Sequence, residues 1–169
     1  MTAAFATELS VDHGHLELLP VHFDDLDPMG MVHNARYPLL IEHALATFWN
    51  KRGHAFQDGR PSTSVAFNVV KEFSISYRAP IRGTGDVLVH FWLERMGRSS
   101  AVYDFRLLSP ERATLYAQGR RTVIKLDPRT LRPSPWTPEA RAVAEGLLGM
   151  TPDHRAGPES RALGEMGVV

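Results

Sequence analysis

Hydrophobic and polar positions change their period twice along the 169 residues. In HLELLPVHF, residues 15–23, apolar Leu19, Val21 and Phe23 alternate onto one face and predict a first strand. Pro20 brings no N–H to a ladder, which places that strand at an edge or a bulge. DDLDPMGMVHN follows, dense in Asp, Pro, Gly and Asn, and predicts a loop. From there Tyr37, Leu40, Ile41, Ala44 and Phe48 recur at the spacing of one helical face. With Asn34 as the expected N-cap and Gly53 as the stop, a helix is predicted over residues 35–52. Leu39, Leu45 and Trp49 widen its apolar surface, so it should be wrapped by other elements.

Past QDGRPSTS the period falls to two. Val65, Phe67, Val69, Phe73, Ile75 and Tyr77 share one parity, interrupted only by Lys71, and predict one long strand with a single inner face. Three more strands are expected over residues 86–95, 99–108 and 113–126, joined by connections too short for a crossover helix, hence an antiparallel meander. Thr137-Pro138-Glu139 opens a short helix expected to reach Gly149, with Pro at its first position. The organisation predicted is a flexible arm over 1–14, one α+β domain over 15–136, the short helix over 137–149, and a loose tail over 150–169.

Composition narrows the chemistry. The chain carries 19 Lys plus Arg against 19 Asp plus Glu, a net charge of 19 − 19 = 0, and no cysteine. A disulfide framework, a cysteine-ligated metal and a thiol nucleophile are excluded. The balanced charge, with pI near 7.1, argues against a nucleic-acid or anionic-membrane binder. Arginine outnumbers lysine 16 to 3, which keeps local sites for carboxylate or phosphate open. The opening MTAAFATELSVDHGH has neither a basic start nor an apolar core, so a cytoplasmic location is expected. No His-x-x-x-His pair stands on the helix, and no metal site and no cofactor are predicted.

The chemistry-bearing stretch is VHFDDLDPMGMVHNARY, residues 21–37. Asp27 sits in a Gly and Pro loop that feeds a helix N-terminus, where a carboxylate can act as nucleophile or as general base toward water. The helix start near His33 and Asn34 offers unpaired N–H groups for a developing oxyanion. Gly30, lacking a Cβ, allows the loop to approach a ligand closely. Asp24 and Asp25 are expected to be structural, in the turn or paired with an arginine.

The element order, together with Asp25-Leu26-Asp27-Pro28-Met29-Gly30, Val32-His33-Asn34, Tyr37 and Glu42, resembles the hotdog fold, and within it the 4-hydroxybenzoyl-CoA thioesterase-like branch. Tyr77-Arg78-Ala79-Pro80 with Gly85-Asp86, and Met96-Gly97-Arg98-Ser99-Ser100, extend the likeness over about residues 15–135. The resemblance implies an antiparallel sheet wrapped around one long helix. It implies a hydrolase of acyl thioesters on coenzyme A or an acyl carrier protein, working at the interface of a homodimer or of a dimer-of-dimers tetramer. It casts Asp27 as base or nucleophile and the Asn34 backbone N–H as oxyanion donor. Gly30, Val32, His33, Tyr37 and Glu42 become substrate-binding candidates, and Arg98 with Ser99 candidates for the coenzyme A nucleotide.

Three rival readings stand beside it. A hotdog hydratase needs a His where this chain has Met31, which disfavours it. A noncatalytic hotdog module that binds acyl thioesters is the alternative from another class, and a carrier-protein thioesterase would run the same reaction on a different handle.

Overall fold

The computed structural model describes residues 8–149. The arm expected over 1–14 and the tail over 150–169 therefore fall outside it in residues 1–7 and 150–169. The described part of the arm is tied down: Leu9 N donates to Arg112 O at 2.9 Å, Arg106 donates to Ser10 O at 2.9 Å, and buried His90 lies 2.8 Å from His13 O through Nε2.

Strand β1 (His15–Val21) is followed by α1 (Tyr37–Asn50), then a small hairpin of β2 (Phe56–Gln57) and β3 (Arg60–Pro61), then β4 (Asn68–Tyr77), β5 (Gly85–Met96), β6 (Ser100–Leu108), β7 (Leu115–Lys125) and α2 (Pro138–Glu145). Five strands form one antiparallel sheet in the order β1-β5-β6-β7-β4. The predicted meander is β5-β6-β7. Pro20 does lie on an edge strand, since β1 pairs with β5 alone.

The helix packs on one face of the sheet because its apolar stripe has nowhere else to be buried. Tyr37, Leu40, Ile41, Ala44, Leu45 and Phe48 are all buried. They meet Val87, Val89, Phe91 and Leu93 of β5 and Ala101, Tyr103, Phe105 and Leu107 of β6 in one core. Each large side chain removed from water there contributes about 2 kcal/mol.

Three sequence expectations change. Asn34 is not the N-cap of α1: residues Asn34–Arg36 form a short 3-10 turn ahead of it, capped by His33, whose Nδ1 accepts from Ala35 N at 3.1 Å. The long strand expected from Val65 is shorter and changes phase. Val65 sits in a 3-10 turn, and the ladder slips between Val70 and Glu72, where Lys71 is the extra residue. One inserted residue in a period of two moves every later side chain to the other face. Val70 therefore shares the inner face with Phe73, Ile75 and Tyr77, opposite Val123, Arg121, Gly119 and Ala117, while Val69 stands opposite Ile124 on the other side. The last helix stops at Glu145 rather than Gly149. Residues beyond it lie along β5 past the end of β1, with Leu93 N donating to Leu147 O at 2.7 Å and Gly149 N to Leu93 O at 3.0 Å.

One glycine is required by packing. A Cβ on Gly119 of β7 would stand 2.0 Å from Ser74 O on β4 and 2.7 Å from Phe105 Cζ. The absence of a side chain lets Phe73 stack on Phe105 with ring centroids 5.4 Å apart.

Candidate functional site

Between β1 and α1 the chain folds into a compact loop held almost entirely by its own polar groups. Asp27 Oδ1 accepts from Met29 N at 2.8 Å and Met31 N at 3.1 Å, while Asp27 N donates to Met31 O at 2.7 Å. Such a carboxylate-closed turn is what Asp supplies ahead of Pro and Gly. Gly30 takes φ +72°, a left-handed conformation that side chains rarely adopt, and a Cβ there would meet open space. The turn needs glycine for its backbone angle, not for room within the chain.

The loop is pinned to the connection between β4 and β5 and to the turn ahead of the helix. Val32 N donates to Ile81 O and Gly83 N to Gly30 O, both at 2.9 Å. Arg36 reaches back to Asp24 O at 2.9 Å and lies 3.7 Å from Asp25 Oδ1, and Asp25 Oδ2 accepts from His22 N at 2.8 Å. Asp25 thus holds the turn through its carboxylate, as expected, whereas Asp24 contributes only its backbone carbonyl.

Asp27, Val32, His33, Asn34 and Tyr37 converge on one cleft of about 500 Å³, completed by Met31 and by Tyr77, Arg78, Ala79 and Pro80 at the end of β4. Asp27 Oδ2 has no partner among the described residues. At the helix entry His33 N donates to Asp25 O, Ala35 N to the His33 ring and Arg36 N to His33 O. The Asn34 N–H meets no acceptor among the described residues. The Asn34 carbonyl lies 3.5 Å from the Tyr77 hydroxyl, and Tyr77 packs edge-on against Tyr37 with centroids 5.0 Å apart. Burial pushes the Tyr37 phenol above its ordinary pKa, so it stays neutral at working pH. The cleft can accordingly present a fixed carboxylate and a backbone donor to one carbonyl.

Other expected site residues lie elsewhere. Gly30 shapes the loop without lining the cleft. Glu42 lies on a second cavity, beside the C-terminal half of α1, paired with Arg121. Arg98 and Ser99 form the β5–β6 turn, where their carbonyls accept from Trp136 N and Lys125 N. The length of β5, about 35 Å at 3.3 Å per residue, separates that turn from the Asp27 end of the sheet. Tyr77 and Arg78 were not among the expected site residues. Their segment extended the family likeness in sequence without being given a part in the site, and the pairing of β4 with β7 is what carries them to the loop. Among the described residues no three of His, Asp and Glu gather as a metal site, and no helix is long and apolar enough to cross a membrane.

A five-stranded antiparallel sheet cradling one helix is the architecture of the hotdog thioesterases. The chain belongs to the thioesterase superfamily, whose family model matches residues 29–116, and is a thioester hydrolase. The match begins two residues past Asp27 and includes Asn34, Tyr37 and Glu42. Among solved structures, a Pseudomonas aeruginosa protein superposes with a TM-score of 0.70 at 21% identity, over 83% of this chain and 95% of its own. A Thermus thermophilus thioesterase solved with coenzyme A and zinc gives 0.64 at 24% identity, over 78% and 92%. A 1,4-dihydroxy-2-naphthoyl-CoA thioesterase from Synechocystis gives 0.66 at 16% identity, over 79% and 98%. At these identities the likeness is one of fold. No curated protein matches the chain.

Proposed function

We propose that the chain hydrolyses acyl-CoA thioesters with Asp27 as the reacting carboxylate and the Asn34 N–H as the oxyanion donor. The observation that carries this reading is that both face one cleft while the two N–H bonds to Oδ1 hold the Asp27 carboxyl in place. As a base, Asp27 takes a proton from water as the water oxygen bonds to the thioester carbon. The carbonyl electrons move to oxygen, and the Asn34 N–H donates a hydrogen bond to the oxyanion that forms. Collapse breaks the C–S bond, and the proton on Asp27 passes to the departing thiolate. As a nucleophile, Asp27 would instead add to the thioester carbon and expel the thiolate, giving an acyl anhydride that water opens in a second step to the free acid and the restored carboxylate. With no cysteine in the chain, no thioester on the enzyme intervenes.

The working unit in this reading is a homodimer, or two such dimers as a tetramer. β4 is an edge strand on which Val69, Val70 and Tyr77 stand half-exposed, an edge that proteins ordinarily cover. Antiparallel pairing of β4 with a second copy about its midpoint sets Asn68 of one copy opposite Tyr77 of the other. The far end of the partner's sheet then meets the Asp27 cleft. That end includes the cavity holding Glu42, and the Arg98–Ser99 turn about two strand spacings away, so that these two residues can reach a coenzyme A nucleotide only from the second copy. Val32, His33 and Tyr37 frame the thioester from the loop side, and Gly30 sets the turn that brings them there. The reading sides with the 4-hydroxybenzoyl-CoA thioesterase-like branch and a cytoplasmic enzyme, against a noncatalytic binding module.

The test is hydrolysis of aromatic, short, long and branched acyl-CoAs, with matching carrier-protein thioesters in parallel. Turnover of at least one acyl-CoA above the uncatalysed rate is expected. Turnover confined to carrier-protein thioesters would replace the coenzyme A handle, and none with either would leave a binding module.

A further inference from the structure

The second cavity, about 350 Å³, lies between the C-terminal half of α1 and strands β4, β6 and β7. Its walls are largely apolar, with Leu45, Trp49, Phe67, Tyr103 and Val123 among them, and its polar pole is Arg121 with Glu42. Arg121 comes from β7, opposite Phe73 on one side and Tyr103 on the other. Its side chain is only 8% exposed, against 57% for Glu42.

The pairing of these two charges is incomplete. Both terminal nitrogens of Arg121 reach the same oxygen, Glu42 Oε2, at 3.3 Å, and the buried Nε has no partner among the described residues. The neighbouring residue makes the contrast: Arg120 grips both oxygens of Asp104 at 2.6 and 2.8 Å. A cation as buried as Arg121 demands an anion, and removing one partner of such a pair is costly. Glu42 can swing into solvent at little cost because most of it is already there. The cation is the fixed member of the pair and the carboxylate the exchangeable one.

We infer that, across the dimer proposed above, this cavity receives from a thioester held in the loop cleft of the second copy an acyl group ending in a carboxylate, whose terminus binds Arg121 in place of Glu42, so that the enzyme prefers ω-carboxyacyl thioesters to methyl-ended ones. The inference rests on the thioesterase reading above and names its substrate class. The apolar walls accommodate the methylenes, and the guanidinium, with two terminal nitrogens now sharing one oxygen, offers a carboxylate the two-oxygen grip that Glu42 does not make. A methyl-ended chain leaves the Glu42 pair in place and gains nothing from it. Charge-assisted hydrogen bonds at this depth correspond to about tenfold or more in discrimination.

Adipyl-CoA and hexanoyl-CoA, equal in carbon number, are compared with wild type, Glu42→Gln and Arg121→Met. Wild type should favour adipyl-CoA by about tenfold or more in kcat/KM, mostly through KM. Glu42→Gln, which removes the competing carboxylate, should widen that ratio. Arg121→Met should bring it to unity or below while hexanoyl-CoA is still hydrolysed. Equal use of the two substrates by wild type, or a preference that survives Arg121→Met, overturns the inference. If Arg121→Met does not fold, Glu42→Gln decides alone, and an unchanged ratio overturns it. A second arm needs no turnover: free adipate and hexanoate are titrated into each protein by NMR. Adipate binding that tightens in Glu42→Gln supports the inference even if every thioester proves inert, which would strike only the hydrolase reading. Absence of adipate binding to both wild type and Glu42→Gln overturns it whatever the hydrolysis shows.

Discussion

Asp27 closes its turn in the structure and is proposed to react with the thioester, and replacing it by Asn or by Ala separates the two roles. Its Oδ1 closes the turn by accepting from Met29 N and Met31 N, and its second oxygen is the one assigned to the chemistry. In Asp27→Asn the amide oxygen can keep both turn bonds. Only the charge is lost, weakening two charge-assisted bonds to neutral ones, about 1 kcal/mol in all at a partly solvated site. For a domain of this size that is a fall in Tm of about 4 °C or less. Loss of the proton acceptor or nucleophile should cost 10²- to 10⁴-fold in kcat, or about 3–5 kcal/mol at 1.36 kcal/mol per decade. Asp27→Ala strips the turn as well and should lower stability by about 1–3 kcal/mol. The assay is release of coenzyme A read with a thiol reagent, for which a chain without cysteine contributes no background, alongside thermal unfolding of each variant. Turnover of Asp27→Asn within about threefold of wild type refutes the catalytic role. Equal loss of activity in both variants with equally large falls in Tm would instead mean that the loop had collapsed.

Three further outcomes are expected. Gly119→Ala drives a Cβ into Ser74 O at 2.0 Å and Phe105 Cζ at 2.7 Å and should destabilise by about 3 kcal/mol in urea unfolding; a change below about 0.5 kcal/mol would contradict the close β4–β7 approach. His90, buried and held below its ordinary pKa to about 4, chiefly by burial, binds protons more readily when unfolded. Stability should therefore be fully present above pH 6.5 and decline as pH falls toward 4, by at most about 3 kcal/mol. His90→Gln, which does not titrate, should flatten that decline in urea unfolding at pH 7 and pH 5, and an identical decline would assign it elsewhere. Val69→Lys, placing a charge on the β4 edge, should convert a dimer seen by light scattering to the 18.9 kDa monomer and remove activity with the fold intact by circular dichroism. A wild-type monomer at micromolar concentration contradicts the shared site.

What was legible in the sequence was whatever depends on near neighbours. The buried face of α1, from Tyr37 to Phe48, follows from helical spacing, and β5, β6 and β7 from alternation and short turns. Asp27 drew attention because Asp, Pro and Gly together make a turn, and the structural role of Asp25 followed from the same crowding. The cap at His33 escaped notice because a ring nitrogen accepting from Ala35 N is a matter of rotamer, not residue type. The shift at Lys71 escaped because a single extra residue looks in sequence like an ordinary polar interruption, and only a partner strand reveals that the phase has slipped.

Sequence by itself determined the class of fold, the helix, the meander and the loop that carries Asp27, since each rests on periodicity or turn chemistry within about a dozen residues. Tertiary structure alone decided which of these meet. Tyr77 comes to Asn34 across 43 positions, and Arg121 to Glu42 across 79, because β7 is sandwiched between β6 and β4 beneath the helix. It also divided the expected site in two, with Asp27 and Asn34 at one end of β4 and Glu42 at the other. Pairing across a sheet is set by the sum of many burial and ladder terms along whole strands, and no local stretch of chain contains that sum.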